Sequence, residues 1–340
     1  MTNILEVTDL EFSFNTYGGE VKAVRGVSFN VEEGEIVGIV GESGCGKSVT
    51  SQCILKLNPE PPGFFKKGSI RYKDEEVITK SEKEMKAIRG LEIGFIFQDP
   101  MTSLNPTMKI GKQIEEVFVE RNLYTKKDLK DKALETLKLV GISDCEKRYD
   151  QYPHELSGGM KQRVMIAIAL IGRPSLIIAD EPTTSLDVTI EAQILDLLRD
   201  LQSKLNTSVI IITHDLGVIA SLCDRVLVMY GGKIVESGEL DDIFYNTKHP
   251  YTSGLLNSIA GLNIERDYVL KPIEGTPPDL FSPPIGCPFA PRCEYAMEIC
   301  YEQLPREYEI TDKHKTMCWL QHEYAPKVVL GRKVNNTTME

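Results

Sequence analysis

The sequence predicts an α/β fold of the P-loop kind: a mixed, largely parallel sheet with an antiparallel β edge, an inserted helical subdomain and a small Cys-rich C-terminal domain. The first observation is Gly41-Glu42-Ser43-Gly44-Cys45-Gly46-Lys47-Ser48, which fits G-x-x-x-x-G-K-[ST] between an apolar run and a helix-like run. The second is a set of short β-branched runs, at residues 36–40, 93–97, 175–179 and 208–213, each followed by polar residues. The third is a shift from strand signals to helical periodicity between Met101 and about Ile171.

Residues 4–14 and 27–31 alternate apolar and polar positions, with Tyr17-Gly18-Gly19 as a turn between them, and read as antiparallel strands flanking a nucleotide site. An aromatic from this turn can stack on a nucleobase. Tyr17 is the candidate and Phe14 the alternative, and either side chain is equally open to ordinary strand packing. The run 36–40, bounded by glycines, is a buried parallel strand. After it, Gly44 and Gly46 let the backbone curl so that consecutive N–H groups meet phosphate oxygens. The helix starting near Lys47 adds its positive end. Gly41, Ser43, Gly44, Cys45, Gly46, Lys47, Ser48 and Val49 are therefore the expected phosphate contacts. Lys47 would neutralise the β- and γ-phosphates and Ser48 would hold Mg²⁺.

Strand-like residues 68–72 follow a proline loop, and the strand at 93–97 ends in Gln98-Asp99-Pro100. A glutamine there can simply cap a turn. At the carboxyl edge of an α/β sheet, however, Gln98 can reach Mg²⁺ and an attacking water. The helical stretch, about 101–172, reads as a subdomain inserted into the nucleotide domain and closes with Leu156-Ser157-Gly158-Gly159-Met160-Lys161-Gln162-Arg163. The next apolar strand ends in Asp180-Glu181. Two adjacent carboxylates there suit Asp180 reaching Mg²⁺ through water and Glu181 polarising the hydrolytic water. Ile194, Leu197, Leu198, Leu201 and Leu205 then recur at helical spacing as core. The strand 208–213 leads to His214, a third polar residue at a strand's carboxyl end. Residues 225–230 and 233–236 form a hairpin around Gly231-Gly232.

The 340 residues, 41% of them apolar, suffice for one large domain and a smaller one. A formal charge of −11 argues against unspecific binding to nucleic acid or anionic lipid. The longest apolar run, residues 164–171, is far short of the ~20 residues a spanning helix needs, and the N-terminus lacks the plan of a signal peptide, so a cytosolic chain is expected. Of eight cysteines, Cys287, Cys293, Cys300 and Cys318 crowd into one stretch. In a reducing compartment such a cluster points to metal rather than disulfides.

Taken together, the phosphate loop, Gln98, Leu156-Ser157-Gly158-Gly159-Met160, Asp180-Glu181, Ser185-Leu186-Asp187 and His214 resemble the ATPase subunit of the ATP-binding-cassette (ABC) transporter family. The resemblance covers about Ile4 to Tyr245 and implies ATP as the nucleotide, with Glu181, His214 and Gln98 catalytic. It also implies a head-to-tail dimer in which Ser157, Gly158 and Gly159 touch the γ-phosphate held by a second subunit, self or paralogue, and Ser185 to Asp187 link the two sites. Physical chemistry agrees, since a serine and two glycines at a helix start form an anion-binding nest. His249-Pro250-Tyr251-Thr252-Ser253-Gly254-Leu255-Leu256 and Gly286-Cys287-Pro288-Phe289-Ala290-Pro291-Arg292-Cys293 resemble the C-terminal extension of dipeptide and oligopeptide importer ATPases, some relatives of which serve nickel. What the resemblance implies is ATP hydrolysis at the cytoplasmic face of the membrane. It would energise two permease subunits fed by an extracytoplasmic peptide-binding protein, with no nucleic-acid partner. A soluble ABC ATPase of DNA repair or translation is the alternative. Those relatives usually hold two cassettes or an inserted coiled coil, and neither is seen here. The expected division is an ATPase domain over 1–245 and an extension over 246–340.

The four clustered cysteines are spaced C-x5-C-x6-C-x17-C, unlike paired C-x2-C zinc knuckles. Four thiolates and Cys287-Pro288 suit a [4Fe–4S] cluster, which related importer subunits carry. A closed Cys₄ Zn²⁺ site and free buried cysteines are the alternatives. In this proline-rich stretch a metal would supply folding free energy that a small core cannot.

Overall fold

The computed structural model describes residues 2–119, 124–184, 186–258 and 272–330. Strands β1 (Asn3–Thr16), β2 (Gly19–Glu32), β4 (Gly63–Tyr72) and β5 (Glu75–Glu76) form an antiparallel sheet of order β2-β1-β4-β5. The second sheet takes in β3 (Ile36–Val40), β6 (Ile93–Ile96), β7 (Leu176–Asp180), β8 (Ser208–Thr213), β9 (Arg225–Tyr230), β10 (Lys233–Glu239), β11 (Tyr308–Glu309) and β12 (Lys315–Thr316). Its order is β11-β12-β10-β9-β3-β8-β7-β6, parallel from β9 through β6 and antiparallel from β9 outward to β11.

The parallel strands are apolar without alternation because both their faces are covered. Val37, Ile39, Ile178, Ile210 and Ile212 face a core shared with the antiparallel sheet and with Cys53 and Ile54 of the helix Lys47–Ile54. Ile36, Val40, Ile177, Ala179, Val209 and Ile211 face the opposite core. That second core takes in the helices Ile110–Val119, Lys126–Leu139, Cys145–Tyr149 and Gly158–Leu170 of the expected helical subdomain. Their starts are locally encoded. Thr125 and Asp128 form a reciprocal capping box on the second of these helices, and the Ser157 hydroxyl accepts the Met160 N–H on the last.

Residues after 245 do not stand apart as a Cys-rich unit with little core, which corrects the expectation. Strands β11 and β12 extend the main sheet beyond β10, and Tyr251, Cys287, Phe289, Ala290 and Cys300 belong to the main core. The rings of Tyr251 and Phe289 pack against Tyr230 at the end of β9, with centroids 4.5 and 5.3 Å away. The expectation failed because proline density masks a few widely spaced apolar residues whose partners lie in a distant strand. A buried carboxylate pins the same region. Glu236 of β10 accepts from Thr247 Oγ1 at 3.0 Å and His249 N at 3.1 Å, and meets His314 Nε2 at 2.9 Å. His249 caps the helix Pro250–Asn257, its Nδ1 accepting the Tyr251 N–H at 3.1 Å. Burial pushes its pKa down to about 4, so the ring is neutral at ordinary pH. Among the described residues no helix is long and apolar enough to cross a membrane.

Candidate active site

β3, β8, β7 and β6 run parallel side by side, so their carboxyl ends share one edge: the phosphate loop follows β3, Gln98 lies two residues beyond β6, and Glu181 and His214 directly follow β7 and β8. After β3 the loop passes so close to β9 that a Cβ on Gly41 would sit 2.2 Å from the Met229 carbonyl oxygen. Gly46 has φ +100°, and a Cβ there would meet Ala23 O at 2.5 Å. Only glycine serves at these two positions. Ser43 and Gly44 are exposed at the crest of the loop, Cys45 and Lys47 are buried beneath it, and Val49 is half-buried. The Lys47 ammonium donates to Gly41 O at 2.8 Å and Glu42 O at 2.9 Å, so the loop's own carbonyls hold the cation at its mouth.

Ser48 Oγ donates to Asp180 Oδ1 at 2.9 Å, bringing together two of the three residues expected at Mg²⁺. Burial raises the Asp180 pKa, the Ser48 hydrogen bond opposes it, and the neighbouring Glu181 raises it further. A hydroxyl and a carboxylate are hard oxygen donors of the kind Mg²⁺ takes.

Glu181 gathers the remaining expected catalytic residues. Gln98 Nε2 donates to Glu181 Oε2 at 2.8 Å, and His214 Nδ1 lies 3.3 Å from Oε1. Thr184 Oγ1, which sequence reasoning missed, donates to Oε2 at 2.9 Å. The Glu181 backbone is left-handed, with φ +47°, and its N–H donates to Ile212 O of β8 at 2.8 Å. A non-glycine residue there costs on the order of 1–3 kcal/mol, a strain that clusters at functional sites.

The remaining candidates lie outside this cluster. Ser157 and Gly158 are exposed, and nothing lies within 4 Å of a Cβ placed on Gly158. Gly159 packs toward Ile190, and Asp187 caps the helix Val188–Leu205, accepting the Ile190 N–H at 3.0 Å. Ser185 lies outside the described residues. Tyr17 is fully exposed on the β1–β2 turn, whereas Phe14 packs edge-on against Phe12 with ring centroids 5.2 Å apart.

Cys287, Cys300 and Cys318 are buried, Cys293 is half-buried, and all four are free thiols. Cys287 N donates to Cys300 O at 2.7 Å. Burial, reinforced by the neighbouring cysteines, pushes Cys287 and Cys293 up to about 11 and Cys318 up to about 12. Among the described residues no three His, Cys, Asp or Glu side chains form a group ready to hold a metal ion.

Comparison with known proteins agrees with this geometry. The family model described as ABC transporter matches residues 24–184, and that described as oligopeptide/dipeptide transporter, C-terminal region, matches residues 235–300. The chain is 58% identical over 328 residues to the oligopeptide transport ATP-binding protein OppD of Bacillus subtilis, covering 96% of this chain and 92% of the relative. It is 52% identical over 331 residues to the dipeptide transport ATP-binding protein DppD of the same organism, covering 97% and 98%. Among solved structures, the ATP-binding cassette MJ0796 in a dimeric post-hydrolysis state with ADP and Pi aligns at 28% identity with a TM-score of 0.62. That alignment covers 69% of this chain and 98% of the cassette.

Proposed function

The chain belongs to the ATP-binding subunits of oligopeptide and dipeptide ABC transporters, and from that membership we propose how its residues divide the work of ATP-driven peptide import. It is an ATPase of the ABC type, and its hydrolysis of ATP energises the uptake of peptides through membrane permease subunits. Residues 1–245 bind and hydrolyse ATP, and residues 246–340 brace that unit. A second cassette, self or paralogue, supplies the other half of each site, and the chain sits on the cytoplasmic face of the membrane beside its permeases. An extracytoplasmic peptide-binding protein delivers the cargo.

The observation that carries the site assignment is the meeting of Gln98, His214 and Thr184 on Glu181, one residue from the Ser48–Asp180 contact. Lys47 exchanges its two carbonyl partners for phosphate oxygens, and the loop N–H groups from Ser43 to Val49 complete the cradle. Ser48, with Asp180 and Gln98 behind it, would hold Mg²⁺, which when bound would supply neutralisation of phosphate charge. Glu181 orients and polarises the attacking water while Gln98 and His214 hold its carboxylate. Tyr17 stacks on the adenine, a role its exposure leaves open and Phe14's packing does not. Ser157, Gly158, Gly159 and Asp187 act on the partner's ATP.

Lys47→Ala in the assembled transporter tests this reading. Loss of a charge-assisted contact worth roughly 3 kcal/mol should weaken ATP binding about 100-fold and stop peptide uptake. Uptake at the wild-type rate would show that the loop is not the energising site.

We also propose that Cys287, Cys293, Cys300 and Cys318 hold a [4Fe–4S] cluster, with Zn²⁺ as the competitor. Support comes from the C-x5-C-x6-C-x17-C spacing and from the fold, which buries Cys287, Cys300 and Cys318, half-buries Cys293 and ties Cys287 N to Cys300 O at 2.7 Å. Anaerobically purified protein should be brown, with broad absorbance near ~400 nm and about four irons per chain. Cys293→Ser should bleach it. Stoichiometric zinc without iron or acid-labile sulfide, in protein made with iron supplied, would reverse the assignment.

A further inference from the structure

The phosphate loop is gripped from outside by two residues of the C-terminal extension. Arg292, in the turn Ala290–Arg292 just before Cys293, forks onto the side chain of Glu42, the second residue of the loop: Nη1 to Oε2 at 2.6 Å and Nη2 to Oε1 at 3.0 Å. The guanidinium is fixed in turn. It donates to Tyr230 Oη at 3.1 Å, to Glu274 O at 2.9 Å and to Ile273 O at 3.1 Å, and its side chain is only 5% exposed. Tyr251 holds the same loop residue by its backbone, its hydroxyl accepting the Glu42 N–H at 2.8 Å. Glu42 O also accepts from Lys47, so this residue joins the extension to the phosphate-binding lysine.

We propose that Arg292 is a positioning residue for ATP binding, acting through Glu42 to hold the phosphate loop in the curve that ATP needs. The proposal rests on the loop's being the ATP site. Such a loop binds anions by aiming several backbone N–H groups at one point, so its affinity depends on how much of that aim is set before the ligand arrives. A two-pronged Arg–carboxylate contact fixes direction as well as distance, which a single charge cannot do. In this fold the guanidinium is itself anchored to β9 and to the extension's backbone, so the grip does not move with the loop. The Cys-bearing turn and the phosphate loop are thereby one mechanical unit.

The test uses the intact transporter, with steady-state hydrolysis measured over a range of ATP concentrations. Arg292→Met and Glu42→Gln should each raise KM for ATP about tenfold, a loss of about 1.4 kcal/mol, and leave kcat within about twofold. The double variant should be no worse than either single, because both break the same contact. Glu42→Gln is nearly isosteric and leaves the cysteine turn untouched, so it reads the contact even if Arg292→Met disturbs folding there. A purely structural role would lower the active fraction, hence kcat, without moving KM. A purely electrostatic role would give opposite signs, since one variant leaves an anion beside the phosphates and the other a cation. Either pattern, wild-type KM in both variants, or additive effects in the double variant would overturn the proposal. Lys47→Ala run in parallel reports on the ATP site itself: if it binds ATP normally, the failure lies in that underlying assignment and not in Arg292.

Discussion

Glu181→Gln is expected to lower ATP turnover by the assembled transporter about 100- to 10,000-fold, the usual range for removing a general base, while ATP still binds. The amide keeps the side chain's shape, and it can still engage Thr184 Oγ1 through its carbonyl oxygen. It cannot take a proton or polarise water as a carboxylate does. Gln98 and His214, which now meet Glu181 at 2.8 and 3.3 Å, would face a neutral group and lose part of their own orientation. Because bound ATP no longer turns over, the two cassettes should accumulate closed on each other. The measurement is single-turnover hydrolysis alongside nucleotide binding and dimer population. Wild-type hydrolysis in the variant would remove Glu181 from the catalytic role.

Ser157→Arg is expected to abolish turnover, by at least about 100-fold, without changing how the isolated chain binds ATP. Ser157 and Gly158 are exposed, and open space surrounds Gly158. A large cation in that opening would displace the anion-binding turn from the partner's phosphate and remove its electrostatic help. Loss of the helix cap to Met160 adds about 1 kcal/mol of instability. Comparing ATP affinity of the isolated chain with hydrolysis by the full complex separates the two effects. Reduced ATP affinity in the isolated variant would mean that Ser157 serves its own chain's site.

Much of the active site was legible because its residues lie at, or within two positions of, the carboxyl ends of apolar strands. Each run of β-branched residues forecasts a parallel strand, and each strand delivers its next polar side chain to one sheet edge. Gln98, Asp180, Glu181 and His214 are therefore readable one by one, although their shared contact on Glu181 depends on strand order. Thr184 was missed because a threonine in a loop carries no pattern. The helix Glu82–Ile88 did carry one, the capping box of Ser81 and Glu84, and it went unread beside the stronger loop signal. The extension was the least legible part. Arg292 and Glu42 lie 250 positions apart, and no local periodicity can pair residues at that separation. Proline spacing suggested a segment needing outside support, whereas Tyr251 and Phe289 supply that support by packing on Tyr230.

The two-residue strand β12 meets β10 through only Glu236 with Thr316 and Ser237 with Lys315. Short as it is, it covers the backbone donors and acceptors at the middle of β10 that would otherwise lie open. An uncovered strand of that kind is a template on which another chain can build, and the pair β11–β12 removes part of that template. A shortened chain ending after Tyr245 would keep every ATP motif and yet offer its neighbours a bare edge flanked by the unburied ring of Tyr230.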